Sequence, residues 1–353
     1  MKIKINVKKP YDVIIKSNIL TSLASYLPEG LGNTAAIITD DNVEPLYGQV
    51  VRKSLEDGGF RVITYVFKHG EANKSTDTLI SILNYLADNK VTRSDFIAAL
   101  GGGITGDVAG FAAGVYLRGI RYIQIPTTFL SAVDSSVGGK TGVNLTAGKN
   151  LTGLFYQPDA VICDPETFRT LDDDIFIDGV SEAVKHGFIL DEDFFRALSG
   201  KTRAEYMDDI ENIIARNVEI KGEIVASDEF ECGRRQLLNF GHTAGHAIEK
   251  VTNHAVSHGQ AVAAGMIIMT RAAYRMGYCD TDYSGDIRAA FSGFRNRIDT
   301  AYNPDDLYSA ALSDKKRAGD KINIIIPEQS GKCVIKTIKA EELLDVFKAG
   351  VGT

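Results

Sequence analysis

The chain opens on an alternation of apolar and polar residues. MKIKINVKKPYDVII has the period of a half-buried strand. Ala35-Ala36-Ile37-Ile38-Thr39 is then a short apolar run ending at Asp40-Asp41-Asn42, and a helical stretch follows to about Gly58. Residues 61–67 read as a strand. Residues 76–88 read as a helix, with Leu79, Ile80, Ile82, Leu83 and Leu86 on one apolar stripe. Residues 95–100 and 120–125 are buried-strand runs. Strands alternating with helices predict a mostly parallel sheet covered on both faces.

After Pro158 and the Asp164-Pro165 turn the strand runs largely vanish. Helical patterns follow at 175–190, 192–198, 203–226, 233–251, 259–276 and 284–295. Residues 321–327 and 332–338 read as a small antiparallel pair, and 340–347 as a closing helix. The expected fold is an α/β N-terminal nucleotide-binding domain with a mostly parallel sheet (1–164), then a mainly α-helical C-terminal metal- and substrate-binding domain (165–353). The ligand site is expected in the cleft between them.

A length of 353 residues also suggests two domains. With 44% hydrophobic and 24% charged residues, the chain has the composition of an ordinary soluble globular protein. A net charge of −7 without basic runs argues against a nucleic-acid partner or an anionic membrane. The N-terminus lacks the apolar core of a signal peptide, and no uninterrupted apolar stretch is long enough to span a bilayer. Cys163, Cys232, Cys279 and Cys333 are scattered without a CxxC, so reduced buried thiols and a cytoplasmic location are expected.

Three stretches carry chemistry. Gly101, Gly103 and Gly106 form GxGxxG between a strand and a small-residue helix, the setting in which backbone N–H groups cradle a pyrophosphate. Its position near residue 100 differs from the first βα turn of a standard dinucleotide fold. Asp40 and Asn42 suit a ribose or adenine, or equally an Asx turn. The second stretch, after Ile125-Pro126-Thr127-Thr128, carries Asp134, Ser135, Ser136, Gly138, Gly139, Lys140, Thr141, Gly142, Asn144, Lys149 and Asn150 in an otherwise acidic protein. It reads as a functional loop rather than an idle one. Arg118, Lys185, Lys221, Arg234, Arg235, Lys315 and Lys316 are further cations suited to a multiply charged anion.

The third stretch is NFGHTAGHAIEKVTNHAVSHG, which holds four of the six histidines: His242, His246, His254 and His258. A helix over 233–251 puts His242 and His246 on one face. Ser257 reads as the N-cap of the next helix, with Gln260 completing a capping box. A catalytic zinc takes three protein ligands and keeps one position open. Two of these histidines with one distant carboxylate fit that need, and the spacing leaves open which atoms bind. Glu182, one helical turn from Lys185, is the best candidate carboxylate, the plain alternative being a surface ion pair.

GGGxxxD at 101–107, IPTT at 125–128, DSSVGGKTGVN at 134–144, GKN at 148–150, SEAVKHG at 181–187 and LNFGHTxGHA at 238–247 together resemble the 3-dehydroquinate synthase family of sugar-phosphate cyclases. The resemblance runs from Asp40 to Asp314-Lys315-Lys316 and implies a cytoplasmic homodimer using NAD and one zinc or cobalt ion. It implies metal ligands Glu182, His242 and His258, leaving His246 to the substrate site. It implies NAD contacts at Asp40, Asn42, Glu71, Lys74, Gly102, Gly103, Asp107, Thr127, Thr128 and Lys149. Substrate phosphate would meet Lys140, Asn150, Asn239, His246 and one of Lys315 or Lys316, with Arg118 reaching across from the partner. Lys221 and Arg235 would hold a carboxylate, and Asp134 and Lys185 ring hydroxyls. One departure is Leu145-Thr146-Ala147, where many members carry a His-Pro pair. The implied reaction is the phosphate-eliminating cyclisation of the shikimate pathway, in which NAD is regenerated. The alternatives are a related cyclase, an NAD- and metal-dependent polyol dehydrogenase, and a non-catalytic regulator on the same fold.

Overall fold

The computed structural model describes residues 1–294, 298–315 and 320–352. The chain forms two compact units. The first comprises Met1–Leu171 with Ile214–Glu229, and the second Asp172–Ile213 with Phe230–Thr353. A division at Asp164 treats each domain as one continuous segment. Here residues 214–229 pack with the first unit, where Lys221 donates to both the carbonyl and the carboxylate of Asp134 at 2.6 Å.

The first unit is built on seven strands. They are β1 (Lys2–Ile5), β2 (Tyr11–Ile15), β3 (Thr34–Asp40), β4 (Arg61–Phe67), β5 (Phe96–Gly101), β6 (Arg121–Pro126) and β9 (Ala160–Cys163), in the order β1-β2-β9-β6-β5-β3-β4. Only the β1–β2 pair is antiparallel. Every residue of β5 is buried, as expected for a central parallel strand covered on both faces. One face packs Ile38, Ile97, Ala99, Val108 and Tyr122; the other packs Ile37, Ala98, Leu100, Ile123 and Leu55. The cover comes from α1 (Gln49–Asp57), α2 (Thr76–Asp88) and α3 (Gly103–Val115). Ser75 caps α2 by accepting from the Thr78 N–H at 3.2 Å.

The glycine-rich stretch after Ile125 is more ordered than a loop. Lys140–Leu145 (β7) and Gly148–Phe155 (β8) form an antiparallel hairpin. It folds this way because its glycines let backbones meet: a Cβ on Gly153 would lie 2.0 Å from the Thr141 carbonyl oxygen. Gly110 of α3 is similarly close to Thr141 and Tyr122, which seats α3 against β6 and β7.

The second unit is mainly helical: α4 (Asp173–Leu190), α5 (Glu192–Leu198), α6 (Arg203–Asp208), the start of α7 (Ile210–Ser227), α8 (His242–Val251), α9 (His258–Arg275), α10 (Ser284–Ala290), α11 (Pro304–Lys315) and α12 (Leu343–Gly350). It includes the hairpin β10 (Lys321–Gln329) and β11 (Lys332–Lys339). The helix expected over 233–251 is divided into a 3-10 segment, Arg234–Asn239, and α8. Gly241 at φ 79° ends one and opens the other. The run 203–226 is likewise broken at Asp209, whose side chain accepts from Asn212 at 2.6 Å. Helix α9 is the core, packed against α4, α8, α10 and α12. All four cysteines are free thiols; Cys163, Cys279 and Cys333 are buried, while Cys232 is exposed, contrary to the expectation for it. No helix among the described residues is long and apolar enough to cross a membrane.

Candidate functional site

In the second unit, α4, α8 and α9 bring Glu182, His242 and His258 together, with one potential ligand atom of each within 4.8 Å of the others. Glu182 sits mid-α4, His242 is the first residue of α8 and His258 the first of α9. Oε1 of Glu182 is buried and accepts no hydrogen bond, yet it faces Nε2 of His242 at 3.7 Å and Nε2 of His258 at 3.8 Å. A buried carboxylate oxygen without a donor is costly. Two imidazole nitrogens aimed at it, none close enough to donate, leave room for a cation among the three.

The far sides of both rings are held. The Phe240 carbonyl accepts from Nδ1 of His242 at 3.2 Å, and a Glu249 oxygen stands 3.5 Å from Nδ1 of His258. Such partners fix the tautomer with the Nε2 lone pair bare, as metal-binding histidines require. Burial, with the charges of Lys185, His246 and His258, holds His242 well below the ordinary imidazole range, so it is neutral. Burial also opposes charge on His258. The hydrogen bond to Glu249 and the nearby Glu182, Glu249 and Asp178 outweigh it and raise that pKa, and a bound cation would compete with the proton. The residues therefore fit a divalent ion of the zinc type, with two nitrogens and one oxygen.

Lys185 donates to the other oxygen of Glu182. Both residues are 1% exposed, so this is a buried pair and not a helix-surface one. The carboxylate thus divides its oxygens between an ammonium group and the imidazole pair. His246 is exposed one turn along α8, with its ring centroid 5.3 Å from that of His242. His246 forms a second group of possible ligands with Glu249 and His258. Arg235 is buried, and Asn239 donates to Glu231 at 3.0 Å. The side chain of Lys315, and Lys316, lie outside the described residues. Glu249 and Glu231 went unnoticed in the sequence. Glu249 had a signal, since it lies three residues after His246 inside the histidine window.

In the first unit, Asp40, Gly102, Gly103, Thr127 and Thr128 gather at or just beyond the carboxyl ends of β3, β5 and β6, where open α/β sheets bind ligands. Thr105 donates to Asp40 at 3.2 Å, and the Thr127 N–H donates to the Gly101 carbonyl at 3.0 Å. Asp40 also accepts from the Asn42 and Val43 N–H groups, so the Asx turn is present. A Cβ on Gly102 would be 3.0 Å from Thr128, and one on Gly103 would be 2.9 Å from Ser135. The amino end of α3 thus has a bare backbone suited to a pyrophosphate.

Beside it, Lys74 donates to Asp107 and to Asn150, each at 2.5 Å. Burial raises the Asp107 carboxyl despite the opposing charge of Lys74. Asn144 donates to Glu71 at 2.8 Å and accepts from the Asn150 N–H at 2.8 Å, tying the β7–β8 hairpin to the segment holding Glu71 and Lys74. Lys140, Lys149 and Asn150 are exposed on that hairpin. Asp134 is joined to Lys221, as above. Arg118 is exposed at a strained corner where Leu117, Arg118 and Gly119 have φ of 49°, 66° and 112°.

Family models described as 3-dehydroquinate synthase N-terminal and C-terminal match residues 64–178 and 179–317. A 3-dehydroquinate synthase of Streptococcus suis is 41% identical over 357 residues, spanning 99% of this chain and 100% of its own. One of Clostridium kluyveri is 42% identical over 350 residues, spanning 97% and 96%. Among solved structures, 2-deoxy-scyllo-inosose synthase complexed with carbaglucose-6-phosphate, NAD+ and Co2+ superposes with a TM-score of 0.89 at 27% identity, covering 99% of this chain and 100% of that one. The 2-epi-5-epi-valiolone synthase of Streptomyces hygroscopicus, with NAD+ and Zn2+ bound, shares the fold, with a TM-score of 0.85 at 24% identity and 96% of each chain covered. With both family models matched in order and full-length relatives above 40% identity, the chain belongs to the 3-dehydroquinate synthase family.

Proposed function

We propose that this protein converts 3-deoxy-D-arabino-heptulosonate 7-phosphate into 3-dehydroquinate and inorganic phosphate, as an NAD- and metal-dependent carbon–oxygen lyase. The observation that carries the reading is the donorless Oε1 of Glu182 facing Nε2 of both His242 and His258. Glu182, His242 and His258 hold the divalent ion, zinc or cobalt, which supplies a Lewis acid for a secondary alcohol and its ketone. NAD, held by Asp40, Asn42, Glu71, Lys74, Gly102, Gly103, Asp107, Thr127, Thr128 and Lys149, supplies a transient hydride acceptor that is regenerated within each cycle.

The chain's own residues bind and orient. Lys140, Asn150, Asn239, His246 and one of Lys315 or Lys316 take the substrate phosphate, and Lys221 and Arg235 its carboxylate. Asp134 and Lys185 hold the ring hydroxyls, each already fixed by a short charged bond to Lys221 or Glu182. Few of these groups are free bases. That suits an elimination in which the departing phosphate of the substrate itself takes the proton. Holding that phosphate against the adjacent C–H is then the main task of the cations.

A homodimer accords with the exposed apolar side chains Leu151, Leu154 and Phe155 of β8, of which Leu154 lies beside Gly114 near the end of α3. We assign Arg118 to the partner's phosphate site and the protein to the cytoplasm. Related cyclases acting on sugar phosphates without a carboxylate have no use for both Lys221 and Arg235. Offering the keto-acid phosphate and a hexose phosphate side by side tests the reading. Phosphate release from the keto-acid alone supports it, and release from the hexose phosphate alone refutes it.

A further inference from the structure

We propose that Asp178 is a positioning residue that sets the spacing between Glu182 and His258, an inference that rests on the metal reading above. Asp178 lies on α4 one turn before Glu182, on the same face. Its Oδ1 accepts from the Ser257 hydroxyl at 2.6 Å and from the Gly259 N–H at 2.8 Å. Those two residues flank His258. Ser257 is also the N-cap of α9, its hydroxyl accepting from the Gln260 N–H at 3.4 Å. One oxygen thus fastens the first turn of α9 on both sides of a ligand.

The fastening is close. A Cβ on Gly259 would lie 2.3 Å from Cα of Asp178, so α9 begins in direct contact with the α4 backbone. With the first turn held there, Nε2 of His258 comes to 3.8 Å from Oε1 of Glu182. Asp178 touches neither His nitrogen and is not a ligand candidate in this cluster. Its negative charge at the amino end of α9 also opposes the helix dipole favourably. Glu249 fixes the rotation of the His258 ring, and Asp178 fixes where that ring is mounted.

The test titrates metal-free protein with Co2+, reading affinity by chelator competition and ligand geometry by visible absorption. Asp178→Ala is expected to weaken Co2+ about 10–100-fold and to alter the spectrum, the usual cost of losing an outer support. Asp178→Asn keeps an acceptor oxygen and is expected to stay within a few-fold of wild type. Should Asp178→Ala not fold, Ser257→Ala decides, with a smaller loss in the same direction. Unchanged affinity and spectrum in Asp178→Ala, or in Ser257→Ala where that variant decides, would overturn the proposal. A wild type whose Co2+ affinity is untouched by His242→Ala would instead sink the metal assignment, and this inference with it.

Discussion

Oε1 of Glu182 and Nε2 of His258 stand 3.8 Å apart with no hydrogen bond between them, on two helices far apart in sequence. A protonated His258 explains that one contact, but not why Nε2 of the neutral His242 faces the same oxygen at 3.7 Å. A shared cation explains both. Glu182→Ala, His242→Ala and His258→Ala are each expected to lose tightly bound metal, while His246→Ala keeps it. Elemental analysis per subunit checks this. Metal retained in the Glu182 and His242 variants and lost in the His246 variant would reverse the assignment towards the neighbouring His246, Glu249 and His258 group.

Arg235 is buried, and the proposed function gives it the substrate carboxylate. Arg235→Ala should cost about 3–5 kcal/mol against the natural substrate, the scale of removing one partner of a desolvated pair. An analogue without the carboxylate should lose far less. Equal losses in kcat/KM on the two ligands would remove Arg235 from this role.

Arg118 is expected to act across a subunit boundary. Arg118→Ala and Lys140→Ala should each be nearly inactive. Random mixing puts half the subunits into heterodimers, and each heterodimer has one site with both defects and one with neither. Activity should therefore recover to about a quarter of wild type in a two-fold dimer. No recovery after confirmed subunit exchange would put Arg118 in its own chain's site.

Asp95 supplies a pH-dependent element far from the chemistry. Its carboxylate accepts from the Thr34 N–H at 2.8 Å, and from the Thr92 N–H and hydroxyl at 2.7 and 2.8 Å. Burial alone would raise its pKa, but these bonds together lower it below the usual value. Its folded pKa is then below the unfolded one, so its stabilisation is complete above about pH 3.9 and is lost as pH falls through the folded value. Asp95→Ala should cost about 1–3 kcal/mol at neutral pH by stranding buried donors. Denaturant melts at neutral and acid pH check both statements. A cost that stays the same into strong acid would contradict them.

The parallel core was legible because β3 and β5 are apolar runs between turn residues, β6 is mostly apolar, and α2 buries Leu79, Ile82 and Leu86 of its stripe, although Ile80, expected on that stripe, is exposed. The β7–β8 hairpin was not, because Gly142 and Gly153 serve close backbone approach and read as loop in a hydrophobicity pattern. Likewise the helix pattern ran through Gly241, whose positive φ only a structure reveals. The histidine window announced metal, but local spacing left open which of its rings bind. Which carboxylate joins them, and which ring turns Nε2 towards it, depends on α4 meeting α9, a tertiary fact. The family resemblance had supplied that assignment. Asp178 and Glu249 support the ligands through contacts that no spacing rule encodes.

The most direct measurement follows phosphate, carbocyclic product and NADH together, with the keto-acid phosphate in large excess over NAD. The expected result is one phosphate released per 3-dehydroquinate formed, over many turnovers per NAD, with no net NADH. NADH accumulating in step with substrate consumed, without phosphate release, would show a polyol-type dehydrogenase and contradict the account.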